Sequence, residues 1–167
     1  MVVYDDRGNV RASDAFAELL AQSPYVYKYA PSLAGYLADY PRGKLAGVSD
    51  ALFWSETAAP RMRRTLTVTH LAVYSPPELP GTTLAAAKQI YANHYFEAAF
   101  DLTTIVDRPK ADGSAGVYLI VLRRFRFDNL PSGGLLNIRG KVVASLRDQM
   151  LADLAREKAA AETISSR

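Results

Sequence analysis

The densest group of side chains capable of acid–base chemistry lies in the segment Lys-Gln-Ile-Tyr-Ala-Asn-His-Tyr-Phe-Glu, residues 88–97. Tyr91, His94, Tyr95 and Glu97 are the types of group that exchange protons with a substrate. Their spacing matches no hydrolase or metal motif. Two interpretations therefore stay open: a catalytic or ligand-binding corner, or a strand–turn–strand corner whose His and Tyr side chains hydrogen-bond across a sheet.

Metal-ligating residues are scarce in this chain. It has no cysteine, and its only histidines are His70 and His94, so zinc-thiolate and multi-histidine sites are excluded. A mixed site from His94, Glu97 and Asp101 is conceivable, but nothing in the spacing selects it. The sequence also lacks the glycine-rich and nucleophile-elbow motifs of nucleotide-binding proteins and hydrolases. We predict neither a metal nor a cofactor.

Charged residues interrupt otherwise apolar stretches at five positions. Arg124 and Arg126 share one phase of a predicted strand, and Glu97 and Asp101 share one phase of another; the fifth charge is Asp128. On a solvated face these residues would form cross-strand ion pairs. If a helix covers the face, an arginine there must be paired or must bind an anionic ligand group, because an unpaired buried charge is costly. Arg124 and Arg126 are therefore candidate anchors for a ligand.

The supply of aromatic side chains is large, with ten Tyr, six Phe and one Trp, Trp54. A tyrosine offers an apolar ring and a hydroxyl, which suits a cavity for a mostly apolar ligand with one polar end. We therefore add Trp54 to the candidate ligand-binding residues Tyr91, His94, Tyr95, Glu97, Arg124 and Arg126. In the alternative interpretation, the tyrosines of residues 25–40 only pack short N-terminal helices on a sheet.

The totals describe one domain covering residues 1–167, with 49% hydrophobic and 22% charged residues. The net charge of +3 is too small, and the lysines and arginines of the chain are too scattered, to indicate a nucleic-acid-binding protein. That excess would allow transient contact with an anionic membrane surface. The segment Met1–Asp6 lacks the features of a leader, so the chain as it stands is predicted to be cytoplasmic, or exported if a leader has been removed.

Strand patterns dominate the middle of the sequence. β-Branched or alternating residues predict strands over 65–74, 95–106 and 117–128. Residues 83–91 are ambiguous, because their alanines favour a helix and their place in a meander favours a strand; we assign a strand. The apolar run Asp50–Ser55 fits either a strand or a single turn.

Helical patterns occupy both ends. Ser13 is the predicted N-cap of a first helix that ends before Ser23–Pro24, and Ser32–Tyr40 is a second helix that ends at Pro41. A long amphipathic helix is predicted over 136–158, with an apolar stripe that we expect to be buried: Ile138, Val142, Leu146, Met150 and Leu154, widened by Val143 and Leu151. Residues 1–12 are assigned as an arm and 161–167 as a frayed tail.

This order of elements predicts an α+β fold in which a curved antiparallel β-sheet grips the long C-terminal helix, preceded by short N-terminal helices. The strand end Arg-x-Arg-x-Asp at 124–128, the Leu-Pro-Ser-Gly-Gly break at 130–134 and the helix that follows resemble the end of the START/polyketide-cyclase-like superfamily, the helix-grip fold. That resemblance implies an apolar cavity between helix and sheet, which relatives use for lipids, sterols, polyketides or plant hormones. Residues 33–155 also resemble a group of uncharacterised bacterial proteins with Phe-Trp-Ser, Thr-His and Lys-Gln-Ile-Tyr-Ala-x-His-Tyr segments.

Three functions remain open at this point. The first is binding or transfer of a hydrophobic, lipid-like small molecule in a cavity between the sheet and the C-terminal helix. The second is an enzyme of the cyclase or dehydratase kind that uses His94 with Tyr91, Tyr95 or Glu97. The third is a structural or interaction module with a filled core. The size of the cavity would separate the third function from the other two.

Overall fold

The computed structural model describes residues 12–57, 64–93, 96–127 and 138–165. The chain falls into two compact units that divide after residue 128. The first unit contains three helices followed by a five-stranded curved antiparallel sheet, and the second contains one long helix. The predicted α+β fold is thereby confirmed. The first eleven residues of the expected arm, and the Leu130–Gly134 break, lie outside the described residues.

Three short helices open the described chain: α1 (Ala12–Ala21), α2 (Pro24–Tyr29) and α3 (Pro31–Asp39). Proline occupies the first turn of both α2 and α3, where its fixed φ suits a helix and its missing N–H costs no hydrogen bond. The tyrosine-rich stretch therefore holds two helices, one more than the sequence indicated. α1 begins at Ala12, so the prediction of Ser13 as the N-cap was wrong.

The sheet is a meander in which each strand pairs with the next along the chain, in the order β1-β2-β3-β4-β5. Its strands are β1 (Ser49–Thr57), β2 (Thr65–Tyr74), β3 (Thr82–Ala92), β4 (Phe96–Asp107) and β5 (Val117–Phe127). The ambiguous residues 83–91 form the central strand, as predicted. Their alanines line up with residues of β2 and β4 on either side, and tertiary pairing outweighs the helical propensity of alanine there.

The hydrophobic core lies between the three N-terminal helices and one face of the sheet, which we call the helix face. The ring of Phe16 from α1 meets the ring of Phe100 from β4 edge to face, with centroids 5.8 Å apart. Leu20, Leu33 and Leu37 are also fully buried. Because large side chains interdigitate here, this layer is a packed core and not the cavity of a container.

The second unit contains α4 (Ile138–Ser165), which extends past the predicted end near residue 160. Of its predicted apolar stripe, Leu146, Met150 and Leu154 are half-buried, whereas Val143 and Leu151 are exposed. The side chains of Ile138 and Val142 lie outside the description, and burial of the stripe against the sheet stays a prediction. Both the placement of α4 across the sheet and the single-domain interpretation stay predictions. None of the helices that the structure describes has the length and apolar character needed to cross a membrane.

Replacing Leu20 by alanine tests the packed helix layer. Leu20 is fully buried, so its truncation should lower the free energy of unfolding by about 2–5 kcal/mol. Val117→Ala is the matched control, because Val117 is exposed on β5; it should change the stability by no more than about 0.5 kcal/mol. Urea denaturation of both variants measures the difference, and equal midpoints would show that the helix layer contributes little to the fold.

Candidate functional site

The sequence-predicted site residues of the 88–97 segment are only partly described. Tyr91 lies near the end of β3 with 42% of its surface exposed. His94 and Tyr95 lie outside the described residues, so their convergence with Tyr91 stays a prediction. Trp54 lies on β1, the edge strand farthest from Arg124 and Arg126, because three strands separate β1 from β5. The sheet therefore does not bring Trp54 together with the two arginines.

Arg124 and Arg126 share the helix face, as their spacing predicted; Arg126 binds Glu18 of α1, and Arg124 binds Gln22, the residue that follows α1. The Nη1 atom of Arg124 donates to the carbonyl oxygen of Gln22 at 2.5 Å, and its Nη2 donates to Oε1 of the same residue at 3.4 Å. Arg126 forms ion pairs with the carboxylates of Glu18 and Glu97. A groove of about 360 Å³ lies beside these residues. Both arginines are thus satisfied by protein groups, which argues against their use as ligand anchors.

Glu97 reaches Arg126 because β4 contains a bulge. The register of β4 against β5 shifts between Phe96 and Ala98, which leaves Glu97 as the extra residue. Strict alternation had placed Glu97 and Asp101 on one face. Instead, Glu97 contacts Arg126 on the helix face, whereas Asp101 contacts Arg123, the residue directly before Arg124, on the other face. The conceivable metal site from these two carboxylates is therefore not assembled, and no metal-holding cluster occurs within the described ranges.

A buried polar cluster lies where α3 meets β1 and β2, and the sequence reasoning missed it. His70 is fully buried, its Nε2 lies 2.7 Å from Oδ1 of Asp50, and its ring stacks on Tyr40 with centroids 3.6 Å apart. Tyr36 donates a second hydrogen bond to Asp50. Burial, followed by this hydrogen bond and the charge of Asp50, raises the pKa of the Tyr36 hydroxyl. Asp50 thus joins β1 to both β2 and α3.

Lys88 extends this cluster into the middle of the sheet. It is paired with His70 in the register of β2 and β3, and its side chain is buried. Its Nζ donates to the carbonyl oxygen of Leu37 at 2.7 Å and lies 4.4 Å from the centre of the Phe16 ring. Burial lowers the pKa of this ammonium group. The lysine therefore supplies a hydrogen bond to the last turn of α3, at the carbonyl end of the helix.

An Asp–His pair with nearby Tyr and Lys has the composition of a catalytic site, but its access argues for a structural role. His70 has no exposed surface, and its Nδ1 is buried without a hydrogen-bond partner in the described part of the chain. A substrate could reach it only if α3 moved away. The signal was present in the sequence: His70 alternates in phase with Ala72 and Tyr74, and the phase of these apolar residues faces the core.

The opposite face of the sheet, which we call the second face, carries a different group of polar residues. A depression of about 80 Å³ is lined by Thr67, Thr69, Ala87, Gln89, Ala99, Phe100 and Asp101. The Oδ1 atom of Asp101 is buried and has no hydrogen-bond partner among the described residues. Its other carboxylate oxygen lies 3.5 Å from Nε of Arg123. Burial raises the pKa of Asp101, and Arg123 opposes this shift only in part.

Buried carboxylate oxygens in proteins normally accept a hydrogen bond, so an unused one at the edge of a depression marks a place where a donor can bind. Small side chains form the floor of the depression, since Ala87 and Ala99 leave room above the sheet. Asp101, with Thr67, Thr69 and Gln89, is therefore the group of residues best arranged for ligand recognition in the first unit.

Comparison of the chain with protein-family models, curated proteins and solved structures gives no match. The resemblance to the helix-grip superfamily and to the group of bacterial proteins stays a prediction. The candidate site is accordingly argued from the residues of this chain.

The buried ammonium group of Lys88 predicts a specific dependence of stability on pH. Between its lowered pKa and the ordinary value of 10.5, the unfolded chain binds more protons than the folded chain. The free energy of unfolding should therefore rise with pH across this window, and below the window Lys88 should contribute no slope. We expect Lys88→Met to remove the rise and the exposed-site control Lys44→Met to retain it, as measured by urea denaturation from neutral pH to about pH 10. A rise that is equal in both variants would contradict the assignment.

Proposed function

We propose that this chain binds a small, mainly apolar molecule on the second face of the sheet, with a hydrogen-bond donor of that molecule at Asp101. The observation that carries the proposal is the buried, unused Oδ1 of Asp101 at the depression. Leaving such an oxygen without a donor costs about 1–3 kcal/mol, and a ligand hydroxyl or amide would recover that free energy.

The surroundings of Asp101 suit an apolar body with one polar end. On the second face the register runs Leu71, Ala87, Asp101, Arg123 across four strands, and the next row contains Val73, Ala85, Thr103 and Val121. Small and β-branched side chains border the polar group of Asp101, Thr67, Thr69 and Gln89, so an apolar surface adjoins the site of polar recognition. The depression itself accommodates only the polar end, because its volume equals that of a few water molecules.

This proposal changes the anchor that the sequence suggested. Arg124 and Arg126 lie on the helix face and are bound by Glu18, Gln22 and Glu97. The recognised group is therefore a donor that meets a carboxylate oxygen, and not an anion that meets arginine. Whether α4 forms the other wall of the binding site stays a prediction.

The enzyme alternative receives less support from the described residues. Its proposed base His94 and its partner Tyr95 lie outside them, and the carboxylate of Glu97 is bound by Arg126. A general base must reach the proton that it abstracts, and an ion-paired carboxylate is a weaker candidate for that role.

A matched pair of ligands tests the role of Asp101. A pyrene-labelled long-chain alcohol and its methyl ether differ only in the hydroxyl donor. Wild-type protein should bind the alcohol about tenfold more tightly than the ether, which corresponds to ~1.4 kcal/mol for one hydrogen bond to a buried acceptor. Asp101→Ala should abolish this preference. Fluorescence titration provides both dissociation constants.

Two further variants make the test specific. Ala87→Leu fills the depression and should weaken binding of both probes, whereas Asp107→Ala, at the exposed end of β4, should behave as wild type. Each variant is first checked for an unchanged denaturation midpoint. The proposal fails if wild type binds neither probe saturably, or if Asp101→Ala keeps the preference for the alcohol.

A further inference from the structure

The edge strand β1 is unusual for the amount of apolar surface that it exposes. Eight of its nine residues are exposed, including Leu52 (59%), Phe53 and Trp54 (70%). Its inner side pairs with β2 over the whole of its length, with no register shift. Its outer side has no strand partner in the described sheet. It therefore presents a regular row of outward backbone N–H and C=O groups beside a large apolar surface.

β1 lacks most of the features that protect sheet edges, apart from the charges of Asp50 and Glu56. Edge strands normally avoid pairing with foreign chains by means of lysines, prolines, bulges or short length. Residues 49–57 contain no lysine and no proline, and the strand spans roughly 30 Å at 3.3 Å per residue. A surface of this kind, if it is retained in a folded protein, is typical of a docking site for an extended peptide segment.

The charges of β1 discriminate between two possible occupants. Asp50 and Glu56 lie three residues on either side of Phe53. Antiparallel pairing of two copies of β1 centred on Phe53 would place Asp50 of each copy opposite Glu56 of the other. Like charges directly opposite each other destabilise a strand pair. A shift by two residues would instead place Asp50 opposite Trp54 or Glu56 opposite Leu52, and it would shorten the ladder. A second copy of this chain is therefore a poor partner.

We propose that β1 accepts an extended segment of a different protein, with an apolar centre and a lysine or arginine near each end, six residues apart. The backbone ladder supplies affinity in this mode, and the flanking basic residues complement Asp50 and Glu56. The carboxylate of Asp50 also binds His70 and Tyr36, but its side chain is 38% exposed, so a basic residue of the partner can approach it from solvent. Glu56 already forms a salt bridge to Arg64 at 3.1 Å, but both side chains are largely exposed. An exposed ion pair contributes less than about 1 kcal/mol, so a basic residue of the partner can replace Arg64.

The only tryptophan of the chain makes the proposal directly measurable. Trp54 lies on β1 and is mostly exposed, so strand addition should shift its fluorescence to shorter wavelength. The probe is the peptide Lys-Val-Thr-Val-Thr-Val-Lys with blocked ends, and the control is the same peptide with Glu in place of both lysines. We expect a saturable shift with the Lys peptide and binding at least about tenfold weaker with the Glu peptide, a difference that high salt should reduce.

Two matched variants test whether the Lys peptide binds at the edge strand β1. Leu52→Lys should weaken binding of the Lys peptide at least about tenfold, because it introduces a charge at the centre of the strand. Ile120→Lys is the control, since Ile120 on the other edge strand, β5, has the same 59% exposure. The proposal is overturned if the Lys peptide causes no shift, or if both variants lose binding equally. It is also overturned if sedimentation shows a wild-type dimer that Leu52→Lys dissociates, because the occupant would then be a second copy.

Discussion

The hydrogen bond from the ammonium group of Lys88 to the carbonyl oxygen of Leu37 is the interaction on which the first unit depends. A buried cation needs a strong acceptor, and the last turn of a helix supplies one. Arg124 likewise donates a hydrogen bond to the carbonyl oxygen of Gln22, just after α1. Lys88 and Arg124 lie in one row across the sheet, separated by Phe100. The row thus fixes the carboxyl ends of two helices on either side of a buried aromatic ring.

The polar groups on the two faces of the sheet have different roles. On the helix face, Lys88 and Arg124 donate hydrogen bonds to backbone carbonyl oxygens at the ends of helices, and Arg126 forms ion pairs with Glu18 and Glu97. These charged groups therefore position the helix layer. On the second face, Asp101 keeps an oxygen that no described group uses. Recognition chemistry is therefore expected where packing has not already used the polar groups.

Local patterns predicted those parts of the fold that depend on local physics. The β-branched run at 65–74 formed a strand, and the helices predicted over 32–40 and 136–158 correspond to α3 and α4, although α4 continues to Ser165. The contacts of the site depended on distant partners. Alternation alone could not reveal that a bulge turns Glu97 towards Arg126, and no local signal links His70 to Asp50, twenty residues earlier. The sequence predicted where most helices and strands lie, but not which partner each polar group would find.

The meander has a consequence for the order in which the first unit folds. Every strand pairs with its neighbour along the chain, so hairpins can form one after another with only short loops to close. The contact between Arg124 and Gln22 instead joins residues 102 positions apart. Closing that loop becomes favourable once β5 has completed the sheet that α1 packs against. In synthesis from the ribosome, α1 is therefore made before every strand of the sheet, and its apolar face must wait for β4, which carries Phe100, to emerge.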